Sequence, residues 1–192
     1  HFFNPPRYLR LLEIIPTPFT DAAVVDFLMH YGDLYLGKTT VLCKDTPAFI
    51  ANRIGVFGMM AIMNTMEKLQ LTVDEIDALT GPVIGRPKSA TFRTADVVGI
   101  DTLVKVAKGV HDNCPNDEAR SQFNIPVWLN KMVDNNWLGD KSGQGFFKKT
   151  KAADGSKEIL TLNLQTLEYG PRQKAKFATL ETAKPIEIFH KE

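Results

Sequence analysis

A chain of 192 residues, 44% hydrophobic and 23% charged, has enough apolar material for a sizeable core; its length suits one domain with extensions, or a domain plus part of another. A formal net charge of +1 gives no footing for nucleic acid or a charged membrane surface as partner. Cys43 and Cys114 lie far apart and outside any metal-type spacing, which points to reduced thiols in a cytoplasmic protein, although a single bridge between them stays open.

No basic region followed by an apolar run opens the chain, so no signal peptide is read. The longest uncharged apolar stretch, Ile54 to Met63, is about half of the roughly 20 residues that a bilayer span needs, and a soluble protein is expected. The chain starts on His1 rather than Met, which suggests a start inside a longer protein.

Residues 1–45 read as strand, strand, helix, strand. Leu11 to Ile15 is a short apolar run bounded by Pro16 and Pro18, as a buried strand is. From Thr20 to Leu36, Val24, Val25, Phe27, Leu28, Tyr31, Leu34 and Tyr35 recur at helical spacing, and Gly37 stops the helix. Thr39 to Cys43 is β-branched and brief, hence a strand. On either side of Glu13 the residues are apolar, and His1 stands twelve positions before it. Such a pair can handle protons, because imidazole titrates near neutrality and a carboxylate fixes its tautomer and stabilises its cation. The alternative is a histidine satisfied by packing against Phe2 and Phe3.

At Asp45-Thr46-Pro47 the character changes. Thr46 is placed to cap a helix and Pro47 suits its first position, with the helix running to about Leu69. Its apolar residues, Met59, Met60, Met63 and Met66 among them, cover nearly the whole circumference, which predicts a helix in the middle of a bundle with methionine as core filler. Asn52 and Arg53 stand out, since polar groups on a buried helix need partners. Thr72 to Glu75 forms a capping box for a short helix to about Thr80. Residues 89–98 read as another short helix ended by Gly99, Asp101 caps a helix to about Asn113, and Pro126 opens a last one ending near Trp137.

Three glycines in Gly139-Asp140-Lys141-Ser142-Gly143-Gln144-Gly145 allow tight turning, but no helix follows, so a phosphate-binding loop is not read there. No Gly-rich dinucleotide fingerprint occurs in the sequence. Glu158 to Leu164 with Thr166 to Tyr169 reads as a small hairpin, and residues 171–192 as an extended linker. His30, His111 and His190 are expected on the surface. Nothing clusters with metal-ligand spacing, so no metal is expected.

Three stretches, His1-Phe2-Phe3-Asn4-Pro5 with Glu13, Lys44-Asp45-Thr46-Pro47-Ala48-Phe49-Ile50-Ala51-Asn52-Arg53, and Lys141-Ser142-Gly143-Gln144-Gly145-Phe146-Phe147, carry a resemblance across about three quarters of the chain. In that order and approximate spacing they resemble the L-3-hydroxyacyl-CoA dehydrogenases of fatty-acid β-oxidation. Residues Gly85 to Gly99 look more like the long bacterial members, which join the dehydrogenase to an enoyl-CoA hydratase-like region. The resemblance implies a mainly α chain: residues 1–45 as the C-terminal remnant of an NAD-binding Rossmann domain, 46–149 as an all-helical substrate-binding and dimerisation domain, and 150–192 as a hairpin and linker to absent downstream domains.

It further implies NAD as cofactor, a 3-hydroxyacyl-CoA as substrate and a homodimer through the helical domain. His1 matches the base that takes the hydroxyl proton, Glu13 its supporting carboxylate, and Asn52 a residue that hydrogen-bonds substrate oxygens. Asn4 and Lys141 match positions that contact the cofactor. Arg53 is read as structural. Without the glycine fingerprint the chain by itself is expected to be inactive. Two rivals stay open: a helical dimerisation or scaffolding module with a vestigial pocket, and a dehydrogenase of this fold acting on another hydroxy acid.

Overall fold

A computed structural model describes residues 1–152 and 154–183. By their internal contacts these form two compact units, His1–Ile54 and the remainder from Gly55.

In the first unit, β1 (Leu11–Ile14) pairs in parallel with β2 (Thr39–Leu42), with Leu12 opposite Thr40 and Glu13 opposite Val41. A parallel pair needs a crossover, and α1 (Ala22–Leu34) supplies it, capped by Asp21, whose side chain accepts from the Ala23 amide. Gly32 is the residue of α1 that comes close to the sheet. A Cβ there would stand 2.5 Å from Thr40 Cγ2 and 3.0 Å from Leu12 Cδ2, so glycine sets how closely helix and strands approach. The strand expected before β1 reduces to one antiparallel bridge, Phe2 to Leu12.

Helix α2 (Ala51–Leu69) starts four residues later than the expected first position, Pro47. Pro47 to Ile50 forms a turn in which Ala48 (φ 62°) and Phe49 (φ 50°) adopt the left-handed region, so helical geometry cannot begin there. Nor is α2 buried all round. Val56, Met60, Met63 and Met66 form one buried stripe, whereas Ile54, Phe57 and Leu69 are exposed.

The second unit continues with α3 (Val73–Leu79), whose Thr72–Glu75 capping box forms as expected, α4 (Phe92–Val98), α5 (Ile100–Asn113) and α6 (Val127–Asp134). Three strands follow, β3 (Phe147–Lys151), β4 (Lys157–Leu162) and β5 (Tyr169–Pro171), in one antiparallel sheet of order β3-β4-β5. A short helix α7 (Ala178–Ala183) occupies part of the expected linker; the rest of that stretch, with His190, lies outside the described residues.

The expectation of a mainly α chain is therefore corrected. Helix accounts for 46% and strand for 14% of the described residues, but the strands include the parallel pair that defines an α/β fold. The antiparallel sheet also belongs to the core rather than to an appendage. Leu162 of β4 and Phe146, just before β3, are buried with Met60, Met63, Leu103 and Met132. Phe146 meets Phe92 at 4.5 Å and Trp128 at 5.9 Å between ring centroids.

Candidate active site

Successive side chains of a strand point to opposite faces. On β1, Leu12 lies against Gly32 of α1, so Glu13 projects from the other face. There its carboxylate is 1% exposed, and both oxygens are engaged. Oε1 accepts the amides of Ile50 (3.1 Å) and Ala51 (2.8 Å), the free donors at the start of α2. Oε2 sits 2.7 Å from Nδ1 of His1. A buried carboxylate is costly unless donors and positive charge surround it. Here two helix-terminal amides, at the positive end of the helix dipole, meet part of that need.

His1 is set by its main chain and its neighbours together. Its nitrogen donates to the Glu13 carbonyl at 2.7 Å, and the Glu13 amide donates to the His1 carbonyl at 3.1 Å. The imidazole lies between Phe3 and Phe49, at centroid distances of 4.6 and 5.5 Å. With Nδ1 directed at the carboxylate, the neutral ring carries its proton on Nδ1 and presents the Nε2 lone pair. The side chain is 30% exposed, so that nitrogen remains reachable. This is the geometry of a general base with a supporting acid. Close by, burial raises the thiol of Cys43, and the Glu13 charge adds to the effect; Cys43 and Cys114 are both unbridged.

Asn52 lies in the first turn of α2, directly after the two amides that hold Glu13. It is half-buried, and its side chain makes no hydrogen bond to another described residue. Asn4 is exposed in the turn before Pro5. Lys141 belongs to the second unit, where it forms an ion pair with Asp101 and holds that carboxyl below the usual range. It also flanks Gly99, its Nζ standing 3.2 Å from where a Cβ would be. Arg53 has a partner of its own. His111 pairs with Asp112, and His30 Nδ1 lies 2.8 Å from the Asp26 carbonyl oxygen. Among the described residues no group of three His, Cys, Asp or Glu could hold a metal, and no helix is long and apolar enough to cross a membrane.

Sequence reasoning missed what the strained turn contributes. Phe49 forms one wall of the imidazole's surroundings, and the amides of Ile50 and Ala51 orient Glu13. Capping was read locally from Thr46, whereas the cap comes from a strand 37 residues upstream. The glycine loop was also left without a purpose, and Asp96 supplies one. Its carboxylate accepts the amides of Phe146 (2.8 Å) and Phe147 (2.9 Å), and a Cβ on Gly145 would stand 2.1 Å from Asp96 Oδ1.

A parallel β-α-β unit bearing a buried carboxylate paired with a reachable histidine, followed in sequence by helices, defines an α/β protein with a potential proton-transfer couple. The chain belongs to the 3-hydroxyacyl-CoA dehydrogenase family: the C-terminal domain of that family matches residues 49–149, and its NAD binding domain matches residues 1–46. A probable 3-hydroxyacyl-CoA dehydrogenase of Bacillus subtilis is 50% identical over 184 residues, 96% of this chain and 23% of that protein. One of Deinococcus radiodurans is 51% identical over 151 residues, 79% of this chain and 43% of that protein. The crystal structure of M. tuberculosis FadB2 matches with a TM-score of 0.70 and 30% identity, over 78% of this chain and 51% of that one. The chain thus spans less than half the length of these curated relatives. The match to residues 1–46 corrects the expectation of a missing cofactor-binding part: the sequence has no glycine fingerprint, yet β1, α1 and β2 fall within an NAD binding domain.

Proposed function

We propose that these residues are the catalytic and substrate-binding part of an NAD-dependent dehydrogenase that oxidises L-3-hydroxyacyl-CoA to 3-oxoacyl-CoA in fatty-acid β-oxidation. The observation that carries this reading is the 2.7 Å contact between His1 Nδ1 and the buried Glu13 carboxylate. Alcohol oxidation needs a base on the hydroxyl oxygen while hydride leaves the carbon. His1 Nε2 accepts that proton, and Glu13 stabilises the imidazolium without itself being protonated. NAD, when bound, supplies the acceptor for the hydride that leaves C3.

The residues present fit this chemistry. The Asn52 amide, with no partner among the described residues, has a donor for a substrate oxygen, and it stands on a rigid helix. Asn4 and Lys141 are the proposed cofactor contacts, for which Lys141 exchanges or shares its bond to Asp101. One parallel β-α-β unit is only part of a dinucleotide-binding sheet, so we infer that the chain alone does not turn over substrate.

In this reading residues 1–45 are cofactor-binding and 46–149 form the substrate-binding and dimerisation domain. Ile84, Val97 and Val98 are exposed apolar surface that supports a homodimer through the helices. The alignment with the B. subtilis relative covers 184 residues but 23% of that protein, and takes in most of the stretch after 149, which supports a longer protein of that kind. Two unbridged cysteines support a reducing, cytoplasmic setting.

His1→Ala in the complete protein tests the reading. We expect kcat/KM for 3-hydroxybutyryl-CoA oxidation to fall by about 10² to 10⁴, the usual worth of a general base, while the protein still folds. Near wild-type turnover overturns it.

A further inference from the structure

A cavity of about 510 Å³ opens in the second unit, lined by residues of that unit alone. None of the proposed catalytic or cofactor-contacting residues lines it. Its wall carries five cations, Lys88, Arg93, Lys149, Arg172 and Lys174, and three carboxylates, Asp74, Asp77 and Asp140.

Each carboxylate is already committed to a built-in partner. Asp140 takes both guanidinium nitrogens of Arg93, each at 2.7 Å. Asp74 accepts from Arg172 Nε at 3.0 Å and from the Gln173 amide at 2.9 Å. Asp77 caps α4, accepting the amides of Thr91, Phe92 and Arg93 at 3.1, 2.7 and 3.0 Å. Lys149 shares Asp140 only at longer range, and Lys88 and Lys174 form no ion pair with another described residue. The cavity therefore has a net charge of +2, carried by flexible ammonium groups. Phe147 and Ile159 contribute an apolar surface, and the Arg172 guanidinium lies 5.0 Å from the Phe147 ring centroid, giving a flat cationic surface.

The geometry points to a binding site for a nucleotide-sized organic anion carrying one or two phosphate groups. A purely apolar ligand would strip water from ammonium groups and return nothing to them. A bare phosphate would match the charge but fill a small share of a volume within the roughly 300–1,000 Å³ typical of small-molecule sites. A ring on the apolar side with phosphates towards Lys88, Lys149 and Lys174 satisfies both. This site goes beyond the proposed dehydrogenase reaction, which makes no use of it.

ADP is the probe, titrated calorimetrically into the complete protein held at saturating NAD and CoA, so that dinucleotide and thioester sites are filled. Saturable binding is expected, with weaker binding of pyrophosphate, none of adenosine, and weakening as salt is raised. Lys88→Ala/Lys149→Ala/Lys174→Ala, at three exposed positions, should weaken ADP at least tenfold while the oxidation rate shows the protein to be folded. His1→Ala should leave ADP binding unchanged while lowering oxidation by about 10² to 10⁴, which separates this site from the catalytic reading. Absence of saturable ADP binding under these conditions, or equal binding by the triple variant, overturns the proposal.

Discussion

Glu13 in the first unit and Asp96 in the second are both carboxylates 1% exposed, and both accept two backbone amides. They differ in how the oxygens are divided. Asp96 places one oxygen on Phe146 and the other on Phe147, so both oxygens fix the glycine loop against α4. Glu13 takes both amides on Oε1, which leaves Oε2 for the imidazole of His1. Burial and amide donors alone thus do not single out the proposed supporting carboxylate. What singles it out is an oxygen directed at a titratable group with one accessible nitrogen.

The sharpest way to break this comparison is to remove each carboxylate in the complete protein. Glu13→Ala should cost about 10² to 10⁴ in kcat, because the imidazole loses both its tautomer and its counter-charge. It should also loosen the start of α2, by about 1 kcal/mol for a lost cap. Asp96→Ala should do the reverse, lowering stability in urea by about 2–4 kcal/mol as two buried amides lose their acceptor, while the folded fraction keeps its kcat. Equal loss of kcat in both variants would erase the distinction.

A second blow can be struck from the loop side. Gly145→Ala puts a Cβ 2.1 Å from Asp96 Oδ1 and 2.6 Å from the Cα of Gly139, and much of what it meets is backbone or a held carboxylate. The expected cost is about 3 kcal/mol, read as a lower urea midpoint. A silent substitution would show that the loop does not depend on close approach to Asp96.

The same contrast explains what could be read from residues alone. Helix α1, strands β1 and β2, and the Thr72–Glu75 capping box came from local patterns: period, β-branching, a cap and its partner three residues on. The His1–Glu13 couple was legible because both residues stand in a recognisable order. The start of α2 was not, since Ala48 and Phe49 take positive φ and the capping carboxylate arrives from another element. Nor was β3, because Phe147-Lys148-Lys149-Thr150-Lys151 alternates poorly, and only pairing with β4 makes it a strand. Asp96 lay inside a stretch whose resemblance was noted, but one aspartate on a short helix carries no signal that a loop 50 residues later will donate to it.

Asp96 also makes a pH prediction. Burial pushes its carboxyl up to about 6, outweighing the two amides that favour the charged form. A folded-state value above the unfolded one means that the native state binds the extra proton between about pH 4 and 6. Stability should therefore fall as pH rises through that window and level off above it, by up to about 3 kcal/mol for this group. Asp77, also pushed up to about 6 by burial, adds to the same slope. Asp96→Asn should cost about 1–3 kcal/mol, since its NH₂ faces an amide donor, and should flatten part of the pH dependence. A slope unchanged by Asp96→Asn would remove Asp96 from the account.

The smallest effect sharpens the role of Lys141. Its bond to Asp101 joins two side chains that are 47% and 40% exposed, and such pairs stabilise by about 0–1 kcal/mol. Asp101→Asn should scarcely move the urea midpoint. If Lys141 is a cofactor contact, Asp101→Asn frees its ammonium and lowers KM for NAD slightly, whereas Lys141→Ala raises it several-fold with little change in kcat. If Lys141 serves only the loop, both variants leave KM alone. The comparison of the two carboxylates then extends to the cation: Lys141 can exchange Asp101 for water, whereas Asp96 is buried with both oxygens on amides, so of the two only Lys141 is free to change partner.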